Sequence, residues 1–151
     1  MKKFALLFVA ILTLSSCSID DDGPRIAYQF AEVTGENLPE FFEKGKTYKV
    51  DITYLLPSAC HTAAGLEVKR GNDSGAQRRD IYVVGIGSYD ANQTECNRES
   101  NDLEKEASFS ILIDEDEPYT FYLWSGVDDN MENQYTVVEV PVEESGFPNA
   151  D

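Results

Sequence analysis

Between residues 47 and 56 apolar and polar positions alternate. Tyr48, Val50, Ile52, Tyr54 and Leu56 share one phase, and Lys49, Asp51 and Thr53 the other. A period of two marks a strand with one dry and one wet face. Gly45-Lys46 before it and Pro57 after it punctuate the run. Weaker versions recur along the chain. Residues 26–33 put Tyr28 and Phe30 on one face, and 65–69 put Leu66 and Val68 inward. Residues 107–113 alternate through Phe109 and Ile111, and 135–142 through Val138, Val140 and Val142. Two segments have little polar relief. Residues 80–86, with Ile81, Tyr82, Val83 and Val84, predict a strand covered on both faces, and 119–124 are apolar on both phases. A long hairpin loop is predicted over 125–133.

Seven short strands separated by Gly, Asp, Asn and Pro turns predict an all-β chain. The architecture they suggest is an immunoglobulin-like antiparallel β-sandwich of about seven strands. A small closed β-barrel is the alternative. Two helical decorations are also expected: a turn over 38–44 ending at Gly45, and a capping box at Asn101-Asp102-Leu103-Glu104, with Leu103 and Ala107 four apart.

The first residues carry an address. Lys2 and Lys3 precede an apolar run from Phe4 to Leu14, which ends at Leu14-Ser15-Ser16-Cys17 and is followed by Ser18-Ile19-Asp20-Asp21-Asp22. The run is too short to cross a bilayer and has the layout of a secretory signal. Its terminal cysteine makes it resemble the lipobox of bacterial lipoproteins. That resemblance implies cleavage before Cys17 and a diacylglyceryl group on its thiol. The acidic triplet resembles the surface-export signal of Bacteroidetes lipoproteins, which implies an outer-membrane, surface-exposed location. The expected organisation is a signal peptide at 1–16, a lipidated acidic tether at 17–25, a β-sandwich domain at 26–145 and a tail at 146–151. The resemblance covers about the first 22 residues and carries no activity with it.

Charge narrows the partners. The chain has 12 basic and 28 acidic residues, a formal charge of −16. Without Lys2 and Lys3 the mature chain carries about −18. Such a surface repels phosphate backbones and anionic headgroups, so no nucleic-acid partner is expected. The lipid supplies the membrane contact, and a basic protein or a glycan is the partner class left. Three cysteines become one pair once Cys17 is lipidated. Cys60 and Cys96 in an oxidising compartment predict a disulfide. Free buried thiols, or a metal pair with His61, are the competing readings.

Few residues suggest chemistry. His61 is the sole histidine, so a triad would have to use it with Ser58 or Cys60. A loop histidine beside a disulfide is the plainer reading. Gly85-Ile86-Gly87-Ser88 lacks the third glycine of a phosphate loop and reads as a strand end and turn. Asp114-Glu115-Asp116-Glu117 reads as a solvated turn. Asp128, Asn130, Glu132 and Glu139 have a calcium-loop spacing, but Asn133 stands where that loop needs glycine. Tyr122 and Trp124 share a phase, and Tyr82 and Tyr135 could neighbour them in a sheet. An open face of these rings would stack sugars or receive a protein. The plainer expectation places Trp124 in the sandwich core. The sequence thus predicts a non-catalytic binding or structural module without cofactor. The alternatives are an inhibitor of a basic hydrolase such as lysozyme, or a carbohydrate-binding module.

Overall fold

The computed structural model describes residues 23, 25–72, 76–93, 95–96 and 102–143. The signal peptide, Cys17, the acidic triplet Asp20, Asp21 and Asp22, and the tail at 146–151 lie outside the described residues. The strands are β1 (Ile26–Glu36), β2 (Phe42–Glu43), β3 (Thr47–Leu55), β4 (Thr62–Arg70), β5 (Asp80–Asp90), β6 (Glu104–Leu112), β7 (Tyr119–Val127), β8 (Asn133–Val140) and β9 (Val142–Glu143). A 3₁₀ turn at Ala76–Arg79 precedes β5. The chain is all-β, as its period-two segments predict, and each of the seven expected strands is present.

β1 joins two layers. Its first half, from Ile26 to Ala31, pairs with Asp90 to Gly85 of β5. Its second half leaves that ladder and pairs with β3, from Glu32 opposite Leu55 to Glu36 opposite Ile52. The register breaks between Val33 and Gly35 in this second ladder. One layer is therefore β6, β3 and the end of β1. The other holds β4, β5, β7, β8 and the start of β1. The result is an open sandwich and not a closed barrel. Between the layers, near β4 and β6, a recess of about 310 Å³ is lined by Val68, Ile81, Phe109 and Ile111.

All long ladders but one are antiparallel. β5 and β7 run parallel, with Asp80 opposite Thr120 and Val83 opposite Leu123. A parallel pair needs a crossover, and here β6, which belongs to the other layer, supplies it. The core lies between the layers: Val50 and Ile52 from β3 and Ile111 from β6 meet Ile81, Val83, Phe121 and Leu123 from β5 and β7. Each such side chain, fully buried, contributes about 1.5–3 kcal/mol. Only one phase of β5 faces this core. Ile81, Val83, Gly85 and Gly87 are buried, while Tyr82, Val84 and Ile86 are half-buried on the outer face. The strand is thus not covered equally on both sides.

The expected helical decorations are absent because strand pairing claims their residues. Phe42, within 38–44, forms β2 and pairs parallel with Val142 of β9. The Phe42 amide donates to the Pro141 carbonyl at 2.8 Å, and its fully buried ring packs against Tyr48, Tyr119 and Phe121. Gly45, at φ 80°, takes the left-handed backbone that turns the chain into β3. Glu104, expected in a helix cap with Leu103, instead opens β6 opposite Leu55; Asn101 lies outside the described residues. The Gly85 and Gly87 segment is likewise no turn, since β5 continues to Asp90. A Cβ on Gly85 would lie 2.6 Å from the Tyr54 ring, so this glycine lets Tyr54 press against the backbone of β5.

Candidate ligand-binding face

The outer face of the second layer is aromatic. Alternation puts Tyr119, Phe121 and Leu123 of β7 into the core, which turns Tyr122 and Trp124 outward. Trp124 is therefore half-buried on the outer face and does not pack in the core as expected. On β7 both phases are apolar, so alternation alone does not choose between them. Tyr119, Phe121 and Leu123 fill the core opposite Val50 and Ile52, and the indole is left outside.

Pairing then gathers the four ring residues. Tyr82 is opposite Tyr122, and Trp124 is opposite Tyr135. The Tyr82 and Tyr122 rings stack with centroids 4.6 Å apart and planes 12° from parallel. Tyr135 meets both edge-on, at 5.8 Å and 6.2 Å. Partial burial, aided by Tyr122, Asp80 and Tyr135, raises the Tyr82 hydroxyl above its ordinary value.

A groove runs beside these rings. β5 changes partner at Val84: its earlier residues pair with β7 and its later ones with β1. Over this exchange lies a cavity of about 410 Å³, within the range of small-molecule sites. Trp124, Tyr135, Phe30, Tyr82 and Val84 form its apolar part. Glu67 and Lys69 of β4 reach it from the other side, opposite Val84 and Tyr82 in the ladder. Trp124 is held in place: its indole N–H donates to Asn133 Oδ1 at 3.0 Å, and its ring meets Phe30 at 5.5 Å and 73°. Beyond the groove the same face carries Tyr28, 69% exposed, and Val137, 55% exposed.

Sequence reasoning did not single out Phe30, Glu67, Lys69, Val84 or Asn133 as site residues. Phase was the available signal. Phe30 shares the face of Tyr28, Asn133 shares that of Tyr135, and Glu67 and Lys69 oppose the inward Leu66.

The other candidates are engaged elsewhere. Cys60 and Cys96 form a disulfide with sulfurs 1.99 Å apart. Beside it the Ser58 hydroxyl lies 2.8 Å from His61 Nδ1, while His61 Nε2 lies 3.0 Å from Gln29 Oε1. The third member is thus a neutral amide, and Ser58 Oγ also accepts the Cys60 amide at 3.3 Å. This network ties the disulfide loop to β1. Asp128 Oδ1 accepts the amides of Asn130 and Glu132, at 2.8 Å and 2.9 Å, which closes a tight β7–β8 hairpin. The expected long loop at 125–133 is therefore shorter: 125–127 belong to β7, Asn133 opens β8, and 128–132 make the turn. Glu139 stands down β8 opposite Thr120, away from that turn, so the calcium spacing does not converge.

The acidic turn after β6 is paired rather than simply solvated. Asp114 binds the Arg70 and Arg78 guanidiniums and accepts the Tyr119 hydroxyl at 2.9 Å. Partial burial works to raise the Asp114 carboxyl, but the Tyr119 hydrogen bond and the two arginines prevail and hold it below its ordinary value. Glu115 joins Arg78, and Asp116 joins Lys44. Comparison with protein-family models, with curated proteins and with solved structures finds no match for this chain.

Proposed function

We propose that this chain is a lipid-anchored, non-catalytic binding module of the outer-membrane surface, and that it binds through the outer face of its second layer. The single observation that carries this reading is the open aromatic face. Tyr28, Phe30, Tyr135 and Val137 stay exposed there beside a groove. Contiguous exposed apolar surface on a soluble domain marks a contact surface. The non-catalytic part rests on the His61 network, in which a neutral Gln29 takes the orienting place that general-base catalysis gives to a carboxylate. The location rests on the lipobox, Cys17 and the acidic triplet.

The charge of −16 favours a second reading, an inhibitor of a basic hydrolase such as lysozyme, because it speeds encounter with cationic partners. One pair of measurements tests both. In cells, Cys17→Ser should move the protein from the membrane to the soluble fraction; unchanged fractionation removes the anchor. In solution, Tyr28→Ser with Tyr135→Ser should abolish ligand capture if the aromatic face binds. Inhibition of lysozyme that survives this double change would favour the charged surface instead.

A further inference from the structure

We propose that the groove over the β5 partner exchange is a site for a neutral pyranose oligosaccharide, with Trp124 as its stacking platform. This rests on the outer face being the binding face and names what that face takes. The groove has two kinds of wall. One is built from the rings of Trp124, Tyr135 and Tyr82, and the other from the polar side chains of Glu67, Lys69, Arg70, Gln77 and Asp80. A pyranose has matching halves: a C–H face that suits the negative face of an aromatic ring, and a rim of hydroxyls that both donate and accept.

Other ligand classes fit less well. A wholly apolar ligand would strip water from Glu67 and Lys69 without replacing its hydrogen bonds. A polyanion would approach a chain of charge −16. An uncharged polyol meets neither obstacle. Carboxylate and ammonium groups can bind vicinal hydroxyls as acceptor and donor, and neither Glu67 nor Lys69 is committed to an ion pair among the described residues.

The platform is also preorganised. Asn133 takes the indole N–H, and Phe30 holds the ring, so little rotamer freedom remains to be lost on binding. Asn133 uses its Oδ1 for Trp124, which leaves its amide N–H groups to donate toward the groove. The cavity of about 410 Å³ suits a short stretch of sugar rather than a long chain laid on a flat sheet.

Trp124 is the sole tryptophan, so its emission reports the groove directly. The experiment titrates the purified protein with neutral tetrasaccharides of glucose, mannose, galactose and N-acetylglucosamine and with a tetragalacturonate, and, by calorimetry because it brings its own tryptophans, with lysozyme, each at low and high salt. Expected is a saturable emission change with at least one neutral tetrasaccharide, nearly indifferent to salt. Affinity should fall by about tenfold or more in Trp124→Ala, followed by calorimetry. Glu67→Ala should weaken binding while leaving the melting temperature unchanged, which separates lost contact from lost fold. No response to any neutral tetrasaccharide overturns the sugar proposal. Salt-sensitive lysozyme binding that is lost in Tyr135→Ala, with no neutral tetrasaccharide bound, overturns it but keeps the outer face as the binding face. Sugar binding unaffected by both Trp124→Ala and Glu67→Ala overturns the sugar site and the face together.

Discussion

The indole N–H of Trp124 donates to the side-chain oxygen of Asn133, 3.0 Å away on the neighbouring strand. The register between β7 and β8 shifts between Trp124 and Gly126, and Gly126 takes φ 124°. This bulge bends β7 beside Trp124. Removing the acceptor with Asn133→Ala should cost about 1 kcal/mol of stability. It should also free the indole and shift its emission to the red. An unchanged spectrum would mean that Phe30 alone holds the ring.

The Gly85–Tyr54 contact should be intolerant of a single methyl. Tyr54 is 1% exposed and a Cβ at Gly85 would touch three of its atoms. Gly85→Ala should destabilise by about 1–3 kcal/mol, the usual cost of overpacking. Combined with Tyr54→Ala it should cost much less than the two changes added together. Additive costs in denaturant unfolding would show that β5 tolerates the methyl by moving elsewhere.

Breaking the disulfide should loosen the chain more than either change above. The bonded cysteines are 36 positions apart, for which the chain-entropy relation gives about 4 kcal/mol. Cys60→Ser with Cys96→Ser should lower the unfolding midpoint accordingly. Mass spectrometry of the unreduced protein should find no alkylatable thiol at either position.

Asp114 sets an acid limit to stability. Its carboxyl is held below the ordinary 3.8 by Tyr119, Arg70 and Arg78, against the opposing effect of burial. A depressed folded value means that the contribution is fully present above 3.8 and is lost as pH falls through the lower value. Asp114→Asn should therefore lower the melting temperature by about 2–4 °C near neutrality. The gap should close only as pH falls through that depressed value, where both proteins become neutral at this position. A constant gap across the acid range would assign the loss to packing instead.

The strands were legible because alternation is local. Val50, Ile52 and Tyr54 declare their phase within one segment, and they are buried together. What alternation leaves open is which phase faces inward when both are apolar. Trp124 illustrates this: size and hydrophobicity pointed to the core, but Phe121 and Leu123 already filled it. Leu103-Glu104 shows a second limit, since a capping-box pattern is a short-range preference and the β3 ladder overrides it. The parallel register of β5 and β7 was unreadable for another reason. It depends on β6 lying in the opposite layer, a relation between segments that no single window contains. The groove inherits that difficulty, because it exists only where β7 yields its place beside β5 to β1.

The β1–β5 ladder would also take up any load applied at the N-terminal end of β1. A pull applied at its N-terminal end and resisted by a ligand in the groove would run along the strand, because Phe30 sits at the far end of the Ile26–Ala31 ladder. Tension in that direction slides β1 past β5. The registered residues then share the force and must yield together, whereas a pull across the sheet would part them one at a time. A module tethered through the segment before β1 would hold its cargo in this stronger, shearing geometry.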